Sequence, residues 1–185
     1  KLCKLIIKKH KKIDIITFTN VFAHIDNLNE ILDCLKILAS RNTIIVIENH
    51  YLGSILNKNQ FDTFYHEHPR TYSYSSFTYI AKSLGMKIEF VEFPSRYGGN
   101  IRVFISHERN SNSKTDLDKL NLRESNFFAD FEMLRQNIKT WLSKKHQVIN
   151  NLFLEHGKLR AKAFPGRALC EVKLLISFLR WSTIR

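Results

Sequence analysis

The run Gln60-Phe61-Asp62-Thr63-Phe64-Tyr65-His66-Glu67-His68 places a phenol, two imidazoles and a carboxylate within its last four residues. Such groups move protons near neutral pH or hold a metal ion. Pro69 follows at once and prevents a helix from continuing smoothly through the cluster. If the segment is extended, His66 points elsewhere, because neighbouring side chains alternate sides. Chelation by His66 and His68 with Glu67 is a second reading, although no third or fourth ligand is recognisable. The bland readings are a surface or structural role for His68 and simple packing for Tyr65.

The elements that must position this cluster are legible on either side of it. Ile13 to Phe18 is a short β-branched run of the kind found in buried parallel strands. Asn20 to Asp26 reads as a loop, and Leu28, Ile31, Leu32, Leu35 and Leu38 then recur at helical spacing. Thr43 to Ile47 is a second buried strand ending at Glu48-Asn49-His50. Strand, helix and strand make a βαβ unit, hence a parallel sheet whose functional loops lie at the carboxyl ends of its strands. Asn20 to His24 and Glu48 to Tyr51 fall there. Residues 51 to 75 form a long polar and aromatic connection, and connections of that length inside a domain are usually functional.

Ser75 or Ser76 is expected to cap a helix running to Leu84 and closed by Gly85. Met86 to Phe93 and Ile101 to Ser106 alternate as two strands of a hairpin, with Gly98-Gly99 in the turn from Pro94 to Asn100. His107 to Lys114 is linker-like. Leu120, Phe127, Phe131, Leu134, Ile138, Trp141, Val148 and Leu152 then follow helical spacing, as one long helix or two joined ones, packing in a core or bridging domains. Leu159 to Phe164, Pro165-Gly166-Arg167 and Leu169 to Leu179 read as strand, turn and helix. The expected fold is α/β: a partial, mixed sheet, long helices, and the start of a second α/β unit. Its segments are residues 1–107, a helical region 108–157, and 158–185.

The 185 residues, 44% hydrophobic and 12% aromatic, argue for a packed core rather than disorder. No apolar run approaches the ~20 residues needed to cross a bilayer. Without a signal core before the Lys8 to Lys12 basic patch, a cytoplasmic setting is the default expectation. A net charge of +12 invites an anionic partner. The lysines are scattered, however, no recognition motif accompanies them, and biased composition explains them as well. Cys3, Cys34 and Cys170 form no Cys-x-x-Cys pair and read as free, largely buried thiols.

The sequence resembles the sugar-nucleotide C-methyltransferases. The resemblance is carried by Asn20-Val21-Phe22-Ala23-His24-Ile25, Glu48 at a strand end, the run from Gln60 to His68, and Tyr97-Gly98-Gly99-Asn100-Ile101-Arg102-Val103. It implies transfer of a methyl group from S-adenosylmethionine to a carbon beside the ketone of a nucleotide-linked deoxysugar. It also implies His68 as the base, Glu67 orienting or tuning an imidazole, and Tyr65 at the keto or enolate oxygen. Asn20 and His24 would lie beside the cofactor, or His24 would satisfy its own loop. The Tyr97-Gly98-Gly99-Asn100 turn would expose backbone N–H groups to the sugar or its phosphate, although a hairpin needing positive φ explains the glycines equally. Arg167, after Pro165-Gly166 at a helix start, is placed to meet a pyrophosphate. Members of this family also carry a cysteine-rich zinc module and a Gly-x-Gly cofactor loop, and this sequence has neither. The expectation is therefore a fragment, inactive alone, with a zinc site only in the missing module. The competing expectations are a basic module binding nucleic acid or another anionic surface, and an inactive remnant.

Overall fold

The computed structural model describes residues 1–107 and 117–159. Arg167, Cys170 and the strand-turn-helix expected after Leu159 lie outside them. The strands are β1 (Ile15–Thr19), β2 (Ile44–His50), β3 (Lys87–Glu92) and β4 (Asn100–Ser106), and the helices are α1 (Leu2–His10), α2 (Leu28–Leu38), α3 (Leu52–Asn57), α4 (Tyr74–Ser83), α5 (Leu117–Glu124) and α6 (Phe127–His156). Sheet order is β1-β2-β4-β3. β1 and β2 run parallel, joined by α2, while β4 lies antiparallel to both β2 and β3. The protein is thus a mixed α/β fold, a partial Rossmann-like sheet with long helices. The hairpin folds back so that its second strand, not its first, meets β2.

Period-two alternation sets the sheet's buried face. Ile45, Ile47 and Asn49 on β2 stand in register with Ile105, Val103 and Ile101 on β4. All six are buried. Leu32 and Leu35 of α2 and Phe77, Ile80 and Ala81 of α4 complete this core. Each large apolar side chain fully buried there contributes about 1.5–3 kcal/mol. The opposite face is thinly covered, leaving Ile15, Ile44 and Phe90 exposed.

Local chemistry sets the helix ends. Asn27 caps α2, its Oδ1 accepting from the Glu30 N–H at 3.2 Å. The cap of α4 is Ser73, two or three residues earlier than expected: its hydroxyl accepts from the Ser76 N–H, and the Ser76 hydroxyl accepts from the Ser73 N–H. Glu124 of α5 adds a second cap. Its carboxylate accepts from the N–H groups of Tyr74 (2.7 Å) and Ser75 (2.9 Å), the Ser75 hydroxyl and the Tyr51 hydroxyl. A carboxylate on the positive end of a helix is well placed, and it ties α5 to α4.

Two expectations change. The N-terminal segment, read as a basic patch, forms α1, with Lys8, Lys9 and His10 in its last turn where the dipole favours cations. α1 lies against α2, and Cys3 meets Cys34, whose thiol is pushed above its ordinary value chiefly by hydrogen bonding with Cys3. Both thiols are half-buried and free. The apolar stripe from Leu120 to Leu152 is two helices, and it is mostly not core: Leu120 and Leu134 are buried, whereas Phe131, Val148 and Leu152 are exposed. α6 instead braces the connection that carries the histidines. Phe131 faces Phe64, Trp141 packs edge-on against Phe61 at 5.3 Å, and Asn137 donates to Asn59 at 2.8 Å. Among the described residues no helix is long and apolar enough to cross a membrane.

Candidate functional site

The connection between β2 and α4 leaves and rejoins the sheet at one point. Tyr51 and Tyr72 form an isolated parallel bridge, and the Leu52 N–H donates to the Tyr72 carbonyl at 2.9 Å. Inside this neck, Tyr65 to His68 is a turn rather than an extended run, closed by the His68 N–H donating to the Tyr65 carbonyl at 2.8 Å. A turn brings residues three apart together. The Tyr65 and His68 rings lie 4.5 Å apart, while His66 projects outward with 73% of its side chain exposed. His66 does point elsewhere, though because of the turn and not because of strand alternation.

His68 Nδ1 lies 3.1 Å from the Thr63 carbonyl. A carbonyl oxygen only accepts, so Nδ1 carries the proton in neutral His68 and Nε2 is the basic nitrogen. Nε2 is 3.5 Å from the Tyr65 hydroxyl, which in turn lies 3.3 Å from a Glu67 carboxylate oxygen. Around His68 stand His24, with ring centroids 4.6 Å apart, and His50, at 5.6 Å; Tyr97 follows at 6.1 Å from His50.

These residues line a cleft of about 260 Å³ at the carboxyl ends of β1 and β2, together with Asn20, Ala23 and Asn49. Of the residues singled out in sequence, Tyr65, His68, Asn20, His24 and Tyr97 meet here. Glu67 touches the cleft only through Tyr65. Among the described residues no group of three or more His, Cys, Asp or Glu is arranged to hold a metal ion.

The floor behind the cleft is a charge network that sequence reading missed. Glu48, 1% exposed, accepts from Arg96 Nε (2.6 Å) and Nη2 (2.5 Å), Arg102 Nε (2.8 Å) and Asn100 Nδ2 (2.7 Å). Arg102 also donates to Glu92 at 2.6 Å. These donors, Arg96 foremost, hold the Glu48 carboxyl at about 2 despite its burial. The visible signal was a lone carboxylate at the end of an apolar strand, a position that demands cations.

The network also fixes an amide at the cleft. Glu48 only accepts, so Asn100 must present its NH2, and that same NH2 donates to Asn20 Oδ1 at 3.1 Å. Asn20 is thereby turned with its own NH2 away from the network. Its backbone is left-handed (φ 52°), a conformation that asparagine tolerates.

The Tyr97-Gly98-Gly99 turn closes the far rim. Tyr97 itself is left-handed at φ 54°, Gly98 at 86° and Gly99 at 128°. A Cβ on Gly99 would lie 2.5 Å from Ser54 Oγ, and one on Gly98 would meet the Gln60 amide. The N–H groups of Gly99 and Asn100 donate to the Arg96 and Pro94 carbonyls, and the Gly98 carbonyl accepts from Lys58 at 2.7 Å. The turn therefore spends those two N–H groups on its own shape.

No family model matches the sequence. Over 83 residues the chain is 35% identical to the C-methyltransferase NovU of Streptomyces niveus, a stretch covering 45% of this chain and 20% of that protein. The matched stretch thus spans about a fifth of the length of the curated relative, and over it the chain is similar to a methyltransferase.

Proposed function

We propose that this chain carries the substrate side of an S-adenosylmethionine-dependent C-methyltransferase site. The substrate is a nucleotide-linked deoxysugar, methylated at a carbon beside its ketone. The observation that carries this reading is His68: the Thr63 carbonyl fixes its tautomer and leaves a basic Nε2 in a cleft beside a tyrosine hydroxyl.

A neutral sugar carbon does not attack a sulfonium methyl group. An adjacent ketone makes the α-proton removable, and an imidazole suits that removal. In this reading His68 Nε2 takes the proton and becomes imidazolium, and the electron pair moves into an enolate whose oxygen the Tyr65 hydroxyl hydrogen-bonds. Glu67 accepts from that hydroxyl when no ligand is bound. Asn20 and His24 stand at the strand end where the methyl donor would lie. S-adenosylmethionine held there would supply an electrophilic methyl group to the carbon left nucleophilic by that proton loss, its sulfonium becoming a thioether.

Enolisation can be tested without the methyl donor. The chain is incubated in D2O with a nucleotide-linked keto-deoxysugar, and loss of the α-proton is followed by NMR. Exchange faster than buffer alone, and lower by about 100-fold or more in H68N, is the expected outcome. Equal exchange in wild type and H68N would remove His68 as the base.

A further inference from the structure

We infer that Asn49 is a ligand-anchoring residue whose amide takes a hydroxyl of the molecule bound in the cleft. This rests on the cleft being a small-molecule site, as proposed above. Asn49 is 1% exposed, and neither its Nδ2 nor its Oδ1 has a hydrogen-bond partner among the described residues. A buried amide left unpaired is costly, and both ends unpaired on one side chain is rare in a folded protein. Thr63 Oγ1 and Asn100 Oδ1 are also unpaired, but of these residues only Asn49 lines the cleft.

Its position follows from the sheet. Thr19 of β1 is in register with Glu48 of β2, so Asn20 and Asn49 are the next residues on two neighbouring parallel strands. They sit at the carboxyl ends, where open α/β sheets receive ligands.

The two amides ask for different things. Asn20 is locked by Asn100 to offer a donor, so it calls for an acceptor. Asn49 offers both a donor and an acceptor. A phosphate or carboxylate would satisfy its NH2 and leave Oδ1 unpaired, and an ammonium would do the reverse. A hydroxyl does both, and a second oxygen on the same ring answers Asn20. The chemistry recognised is a hydroxylated sugar ring. Two sources fit: the sugar of the nucleotide-linked substrate, or the ribose of the methyl donor.

The test uses the full chain, N49L, which is close to isosteric, and N49A. Two readouts are taken: melting temperature without ligand, and calorimetric titration. The probes are S-adenosylhomocysteine and the uridine, thymidine and guanosine diphosphate glucoses. N49L is expected to melt no lower than wild type, and up to about 5 °C higher, because it removes an unpaired buried amide. It is also expected to bind one class of probe at least ~10-fold more weakly. Loss confined to S-adenosylhomocysteine assigns the hydroxyl to the donor's ribose, and loss confined to a nucleotide sugar assigns it to the substrate.

Unchanged binding of every probe that the wild type binds overturns the inference and leaves the methyl-transfer reading standing. If the wild type binds none of the probes, the methyl-transfer reading falls, and melting alone decides the amide. N49L at or above wild type then keeps Asn49 as a contact for another hydroxylated ligand, and N49L clearly below it overturns that. Should N49L not fold, N49A decides. A native melting curve with weakened binding supports the inference, and a loss of more than about 10 °C shows a structural partner and overturns it.

Discussion

At the scale of single residues, Glu48 governs more than its position suggests. Its carboxyl is held down from 4.5 to about 2, by Arg96 first and then by Asn100 and Arg102, against the cost of burial. A folded value below the unfolded one stabilises the fold fully above about 4.5, and that stabilisation is lost as pH falls toward 2. With Arg96 half exposed to screening solvent, the contribution is about 2–3 kcal/mol. E48Q is therefore expected to melt about 5–10 °C below wild type at pH 7, with the gap narrowing as the medium is acidified below pH 4.5; calorimetric melting at a series of pH values checks both. His68, Tyr65, Asn20 and His24 could be picked out in sequence because their types announce chemistry. Asn49 and His50 could not, since their meaning depends on which neighbours the fold supplies or withholds. Glu48 stood between those cases: a carboxylate ending an apolar strand signals a cation, but Arg96 and Arg102 arrive from a hairpin some fifty residues on.

At the scale of elements, the turn after β3 and the caps of α4 make separate claims. Gly99, at φ 128° and against Ser54, has no room for a Cβ, whereas the one Gly98 would gain meets only the movable end of Gln60. G99A should cost roughly 2–4 kcal/mol and G98A about half that, read by urea denaturation. Glu124 closes the amino end of α4 from another helix. E124A should lower stability by about 2–4 kcal/mol, and hydrogen exchange should localise the loss to the amides of Tyr74 and Ser75. Strand and helix identities were visible in the sequence because apolar period settles them, as in Ile44–His50 and Leu28–Leu38. The cap of α4 was placed late because Ser73, Ser75 and Ser76 look alike until Glu124, from beyond residue 116, claims the Ser75 N–H and hydroxyl. The stripe on α6 was legible as a helix, but spacing alone does not say whether an apolar face meets a core or a loop.

At the scale of the whole molecule, order is uneven. Leu134 is the buried residue described on α6, and Phe153 and Leu154 near its end are exposed. Helices without buried anchors fray. Amides of residues 148–156 should therefore exchange at least ~100-fold faster than those of β2 and β4, measured by mass spectrometry after brief labelling. The histidine-bearing connection is held differently. It departs at Tyr51 and returns at Tyr72, whose bridge closes its neck. Lys58 ties it to the Gly98 carbonyl and Arg70 to the Ile25 carbonyl, while α6 braces it through Asn59, Phe61 and Phe64. No strand pairing draws on residues 52–71, so the connection can be exchanged together with the α6 face that packs on it without shifting the register of any strand. A transplanted connection keeping tyrosines at both ends of the neck, moved with its helical brace, would bring its own acid–base groups while the sheet beneath stays constant.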